Sequence, residues 1–384
     1  MGTLTGTKES IPLSSPDITE REVELVNQVL RTPYLSRGPM IERFEAAVAS
    51  FVGARHAVAV SSGTAGLHLA VLAAGLGPGD EVVTTPFSFV ASANCALYVG
   101  ATPVFADVDP LTLNLDSDQV EAAITPHTRA LLPVHIFGQP CAMDRLMEMA
   151  RKHGLIVIED VCEALGAEFQ GQQVGTFGAC GVFAFYPNKQ MTTGEGGMLV
   201  TDDGEWAALF RSLRNQGRDD ASTGPSTGGK TWLRHVRLGY NYRLDELSAA
   251  LGVAQMERID ELLAKRERVA GWYTERLAGM DRVQVPRIAP EVTRMSWFVY
   301  VVRFAPELDR DTTMAALAEL GVPARPYFTP LHLQPLYRER FGFREGDFPV
   351  TERVARSTLA LPFSSRMSER EVEVVCRALT SVMD

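Results

Sequence analysis

Cysteine is scarce in this chain, and what there is does not form pairs. Five cysteines stand among 384 residues, at 95, 141, 162, 180 and 376, without a C-x-x-C spacing. Their scatter argues against a disulfide framework and a thiolate zinc site, and predicts buried thiols in a reducing compartment, the cytoplasm. No metal site is expected. An excess of basic charge is missing too: Lys and Arg number 37 against 47 Asp and Glu, for a net charge of -10. Nucleic-acid binding through a general basic field is thereby excluded, and an anionic ligand requires a local basic pocket. No apolar run approaches the length of a membrane span. Residues 1–16 mix Lys8 and Glu9 with Thr, Ser and Pro and hold no apolar core, so no secretory signal is expected, and Gly6 breaks the myristoylation pattern that Met1-Gly2 opens. The chain has no internal repeat.

What is present is ordinary for a globular protein, with 46% hydrophobic and 22% charged residues and a length that predicts two domains. Short apolar runs at 56–60, 81–85, 103–107, 130–135 and 155–160 read as strands, most of them separated by stretches of helical periodicity. Such alternation predicts a largely parallel, doubly covered sheet with ligands at the carboxyl ends of its strands. A helix is expected over roughly 17–31, and a second has Ile41, Phe44, Val48 and Phe51 on one face. Near the middle, Leu247, Leu251, Ala254, Ile259 and Leu263 predict one long amphipathic helix, where the join to a second domain is placed. Residues 1–255 then form a large domain with an N-terminal arm, and 256–384 a smaller α+β unit. Residues 217–230 have no apolar anchor and read as a mobile loop.

The chemistry centres on residues 182–200, where two apolar runs flank a polar, glycine-rich loop carrying Lys189, so that the segment reads as strand, exposed loop, strand. A lysine amine is a nucleophile toward carbonyls when its surroundings activate it, although a lone loop lysine is ordinarily a solvated charge. Other segments raise its standing. Ser61 to Gly66 follows a strand and opens a helix, as a phosphate cradle or as a plain helix cap. Phe87 to Phe89, His135 and Asp160 also follow strands, so all would meet along one edge of the sheet. Asp160 is either an N-cap or the partner of a buried cation, such as a protonated pyridine nitrogen. Arg37, Arg218, Arg243, Lys230 and Arg325 are surface charges or anion holders. His135 and His332 are either hydrogen-bonded structural histidines or site residues, His332 favoured by its place beside Tyr327. Tyr186 either packs or meets a substrate.

These segments resemble, along nearly the whole chain, the DegT/DnrJ/EryC1/StrS family of pyridoxal-phosphate (PLP) aminotransferases. The resemblance rests on Ser61-Ser62-Gly63-Thr64-Ala65-Gly66-Leu67-His68-Leu69, Gly79-Asp80-Glu81-Val82, Pro86-Phe87-Ser88-Phe89-Val90-Ala91, Val157-Ile158-Glu159-Asp160, Phe185-Tyr186-Pro187-Asn188-Lys189, Thr193-Gly194-Glu195-Gly196-Gly197, Arg214-Asn215-Gln216-Gly217-Arg218, Gly239-Tyr240-Asn241-Tyr242-Arg243 and Pro330-Leu331-His332-Leu333. It implies an α/β chain of PLP-dependent transferase fold type I: a mostly parallel seven-stranded sheet with helices on both faces and a smaller C-terminal domain. It implies PLP as cofactor and a homodimer with shared sites. Lys189 would form the internal aldimine and carry the proton, Asp160 would pair with the pyridinium nitrogen, and Phe89 would stack on the ring. Gly63, Thr64 and Ala65 would hold the phosphate, joined by Asn241 of the neighbouring subunit. The implied reaction moves an amino group from glutamate or glutamine to a keto sugar, one linked to a nucleotide, with Arg37, Tyr186, Arg218, Arg243, Tyr327 and His332 toward the substrate. Two departures stand out. Ala184 replaces a serine of the relatives, so that Ser88 or another group must supply the phosphate hydroxyl. Glu163 replaces glutamine or histidine beside the cofactor. Amino transfer to an inositol ketone or small keto acid, or a PLP-binding regulatory role without turnover, are the alternatives.

Overall fold

In the computed structural model, residues 11–218 and 234–383 are described. Among them the strands are β1 (His56–Val60), β2 (Glu81–Thr84), β3 (Thr102–Phe105), β4 (Thr128–Leu131), β5 (Ile156–Asp160), β6 (Glu168–Phe169), β7 (Gln172–Gln173), β8 (Cys180–Ala184), β9 (Gly197–Thr201), β10 (Val283–Gln284), β11 (Val292–Arg294), β12 (Tyr300–Phe304) and β13 (Thr358–Leu361). Seven of them form one sheet in the order β1-β9-β8-β5-β4-β2-β3. β9 pairs antiparallel with both β1 and β8, and the remaining pairings are parallel. The carboxyl ends of six strands therefore share one edge. The sheet is mostly parallel and seven-stranded, with a C-terminal unit, as the resemblance implies.

Alternation along β1 shows how the sheet is covered on both faces. Val58 and Val60 enter one apolar cluster with Leu67, Val71 and Phe210, whereas Ala57 and Ala59 enter another with Phe44, Val48 and Val253. Successive side chains of a strand point to opposite faces, so helices on both sides are needed to bury them. The helix Glu20–Leu30 starts at the expected place because Thr19 and Glu22 close a reciprocal capping box. The ladder of β4 stops at Leu131, earlier than the apolar run to His135 predicts, since Pro133 has no N–H to donate.

Two expectations change. The single long helix is two, Glu246–Met256 and Ile259–Leu277. Between them Arg258 leaves helical geometry (φ -131°, ψ 23°), and its guanidinium reaches Asp17, Glu22 and Glu261. The loop after β8 is exposed only at Tyr186, Gly194 and Glu195. Gln190, Met191, Thr192 and Thr193 are buried, their polar groups satisfied internally, as where Thr192 Oγ1 donates to Phe185 O at 3.0 Å. A C-terminal core gathers Val269, Tyr273, Tyr300, Val302, Leu359 and Val375 around the β10-β12-β13 sheet. Ile11 packs into that same core, so the start of the described chain lies against the C-terminal unit. The loop expected at 217–230 falls, except for Gly217 and Arg218, outside the described residues, as does Lys230.

Candidate active site

An open cavity of about 920 Å³ lies at the shared carboxyl edge of the sheet. Each part of its floor is delivered by the end of a strand. β1 runs into Ser62, whose extended backbone and side-chain oxygen cap the helix Gly63–Ala73; Ser62 Oγ accepts from Ala65 N at 3.1 Å. The N–H groups of Gly63 and Thr64, in the first turn, have no intrahelical acceptor, and both residues line the cavity. A Cβ at position 63 would stand 2.7 Å from Cys162 Sγ and 2.8 Å from Ala184 Cβ, so only glycine lets this helix start lie flat against β8. Both readings of the segment hold at once: Ser62 is the cap, and the turn it caps faces the cavity.

β5 ends in Asp160, which is 4% exposed. Its Oδ2 accepts from Ser92 Oγ at 2.8 Å and its Oδ1 from Cys162 N at 3.1 Å. Ser92 in turn shares a 2.9 Å bond with Ser88 Oγ. Two acceptor sites of the carboxylate remain, and no cation among the described residues pairs with it. A buried carboxylate without a countercharge is costly, and this one lies in the cavity wall, where a protonated ring nitrogen would neutralise it. The local cap accounts for only one of its oxygens.

Lys189 follows β8, its N–H donating to Tyr186 O at 2.9 Å. The amine stands 3.7 Å from Glu163 Oε1 and 3.8 Å from the centroid of the Phe298 ring. Glu163 also accepts from Phe137 N at 2.9 Å. Burial holds its carboxyl above the usual range, against the pull of Lys189 and the Phe137 N–H. Phe89, 61% exposed, stands at the mouth with Tyr186, and the opposite wall comes from the C-terminal unit through Tyr327, Phe328 and Tyr337. Leu331 N donates to Pro86 O at 2.8 Å and ties that wall to the loop after β2.

Thus Gly63, Thr64, Phe89, Asp160, Glu163, Tyr186, Lys189 and Tyr327 meet in one cavity, with Ser88 and Ala184 among its lining. Ala65 lies just inside the helix. His135 does not reach the cavity: it is fully buried, with Nε2 3.2 Å from Glu159 Oε2, because its side chain leaves β4's extension on the far side of the edge. His332 is likewise turned away from the cavity, fully buried with Nε2 3.0 Å from Glu352 Oε1, while its neighbour Leu331 faces the cavity. Arg37 and Arg243 line a second recess of about 410 Å³, with Arg211, Arg214 and Asn215. Burial, and the nearby Arg37 and Arg218, hold the Arg243 guanidinium below the usual arginine range. Asn241 is exposed beside this recess, bridged to Asn215, and Arg325 is exposed at the C-terminal wall. Ser92 and Phe298 were not picked out from the sequence. Ser92 lies in the first turn of the helix Ala91–Tyr98, and its hydroxyl meets that of Ser88 from the loop before the helix; nothing local marks Phe298, which arrives from the C-terminal unit.

Comparison with known proteins places these features in company. Residues 16–380 match the profile of the DegT/DnrJ/EryC1/StrS aminotransferase family. A GDP-perosamine synthase of Caulobacter vibrioides is 42% identical over 377 residues, covering 97% of this chain and 98% of that protein. The structure of DesV from S. venezuelae in complex with a ketimine intermediate superposes with a TM-score of 0.88 at 34% identity, covering 97% of this chain and 98% of that one. Spr1654 of Streptococcus pneumoniae, solved in a PLP form, gives 0.90 at 28% identity, covering 97% of this chain and 98% of that one.

Proposed function

The chain belongs to the DegT/DnrJ/EryC1/StrS aminotransferase family, and from that premise we propose that it moves an amino group from glutamate or glutamine to a keto sugar linked to a nucleotide. PLP-dependent amino transfer is the activity of the family. One observation carries the reading for this chain: the Lys189 amine shares a cavity with an unneutralised buried carboxylate, Asp160, and an open helix N-terminus at Gly63.

Those residues fit PLP. Asp160 would hold the ring nitrogen, the N–H groups at Gly63 and Thr64 the phosphate, and Phe89 one face of the ring; Ser88, spent on Ser92 and outranked by free backbone donors, supports Asp160 instead. When bound, PLP supplies the electron sink that makes the carbon bearing the amine acidic, and a place to keep the amino group between donor and acceptor. Lys189 moves the proton, its amine directed by contact with the Phe298 face on one side and Glu163 on the other. Asp160, fixed by Ser92 and the Cys162 N–H, presents its charge without reorganising.

The site is completed by a second copy of the chain. Asn241, Arg37, Arg218 and Arg243 gather outside the cavity on a surface that also exposes Leu238 (82%), Leu35 and Tyr98. Leu35 O accepts from Glu246 N, and Tyr98 packs on His68, which packs on Tyr240, so these apolar groups border one segment, 238–246. Apolar surface of that kind, ringed by arginines, supports a homodimer that brings the basic cluster to the partner's cavity and its anionic substrate. Among the described residues no helix is long and apolar enough to cross a membrane. The five free cysteines support a cytoplasmic setting.

The visible spectrum of the purified protein with PLP tests the reading, followed on adding glutamate or glutamine and then a nucleotide-linked keto sugar. A GDP-linked acceptor comes first, after the name of the Caulobacter relative. The expected result is a band that shifts with donor and returns with acceptor. Lys189→Ala should lose that response and turn over at least about 100-fold more slowly, the scale of a positioned acid–base group. A wild-type band unmoved by every donor overturns the proposal.

A further inference from the structure

The helix Ile259–Leu277 buries Leu262, Leu263, Val269, Ala270, Tyr273 and Leu277, and in the middle of that face stands Arg266, 2% exposed. A leucine or methionine would complete the face. Instead the chain buries a guanidinium, which no carboxylate among the described residues pairs with, a costly arrangement unless its donors find strong acceptors. The acceptors are four backbone carbonyls in two groups. Nη2 donates to Lys189 O at 2.5 Å and to Asn188 O at 3.2 Å; Nη1 donates to Phe298 O at 3.1 Å and to Trp297 O at 3.3 Å. Nε has no partner. Burial pushes the guanidinium down to about 10, still charged at neutral pH.

The two groups of carbonyls belong to the two sides of one contact. Lys189 carries the amine, and Phe298 carries the ring whose centroid is 3.8 Å from it. We propose that Arg266 is a positioning residue for amino transfer: its planar fork clamps the backbone that bears the Lys189 amine to the backbone that bears the ring directing it. Next along the loop, Gln190 Nε2 donates to Glu163 O at 2.6 Å and Ser296 O at 3.0 Å, fastening the same two segments again. Three consecutive carbonyls or side chains of the lysine loop are thus tied to residues 296–298. The Lys189 side chain must travel during the reaction, and the clamp keeps its backbone from travelling with it. A single ammonium cannot span both carbonyl pairs as the guanidinium does.

The inference rests on the proposed activity, and its test separates the two. Wild type, Arg266→Met and Arg266→Lys are compared by steady-state kinetics with PLP and both substrates, and, without cofactor, by hydrogen exchange read by mass spectrometry. Displacing reacting groups by about 1 Å costs on the order of 100-fold, so Arg266→Met is expected to lose about that factor in kcat with KM for either substrate within about threefold of wild type. Arg266→Lys should fall between, and decides the matter if Arg266→Met does not fold. Exchange should rise at least about tenfold in peptides covering 186–191 and 296–299, and stay unchanged in β2 and β3. A kcat within about threefold of wild type in both variants, or exchange that rises evenly across the chain, overturns the proposal. Should wild type itself transfer no amine, the functional reading fails, while a local rise in exchange still supports the clamp and its absence still overturns it.

Discussion

Glu163 shows how much a single side chain is changed by its surroundings. In the sequence it is one acidic residue among many; in the structure its carboxyl is buried, accepts from Phe137 N and stands 3.7 Å from the Lys189 amine. Burial dominates and raises its pKa above 4.5, its ordinary value. A carboxyl raised on folding contributes stability in full below its unfolded pKa and loses it as pH climbs through the folded value. Glu163→Gln keeps an acceptor for Phe137 and has no charge to bury. Its melting temperature should therefore gain on that of wild type between about pH 5 and about pH 7.5, measured on the cofactor-free protein. A difference that is flat or shrinks with rising pH would sink the argument.

Among the elements, the strand-turn-helix at 56–73 does the most with the least. Ser62 caps the helix, and the missing side chain of Gly63 lets its first turn lie against Cys162 and Ala184. Ala184, where the resemblance implies a serine, belongs to this arrangement, for it lies where the helix start and β8 touch. Gly63→Ala would overpack the contact, an insertion that typically costs about 1–3 kcal/mol, and would tilt the open N–H groups away from the cavity. Cofactor affinity should fall about tenfold or more, read by titrating PLP against the visible band, with the far-ultraviolet spectrum unchanged. Unaltered affinity would mean that these N–H groups do not hold the phosphate.

For the molecule as a whole, the decisive surface is the one that exposes Leu238, Leu35 and Tyr98 beside the arginine recess. The proposed shared site takes its arginine cluster from a second copy of the chain. Leu238→Asp puts a charge into the proposed interface and should weaken self-association at least about tenfold, as loss of a central apolar contact does. Sedimentation velocity reads the shift toward monomer, and turnover should fall with the dimer fraction while the PLP band of Lys189 persists. An unchanged dimer, or a fully active monomer, would remove the basis for a shared site.

By itself the sequence determined the alternation of strands and helices, the lysine in the loop after β8, the carboxylate at the end of β5 and the glycine turn after β1, because each is a local pattern: periodicity, a capping serine, a residue following a strand. Resemblance added the family and its cofactor. Tertiary structure alone decided the rest. His135 follows a strand as Asp160 does, and His332 lies beside Tyr327, yet both turn to buried carboxylates, Glu159 and Glu352, 20 or more residues away in the chain. The loop after β8 is polar, which predicts exposure, yet Gln190 to Thr193 are buried and their hydrogen bonds close on the protein itself. The helix break at Arg258 depends on Asp17, some 240 residues away, and the contacts of Lys189 with Phe298 and Arg266 join segments more than 70 residues apart. Local patterns set what each segment can form; which side chains face the cavity depends on partners whose identity no neighbouring residue reveals.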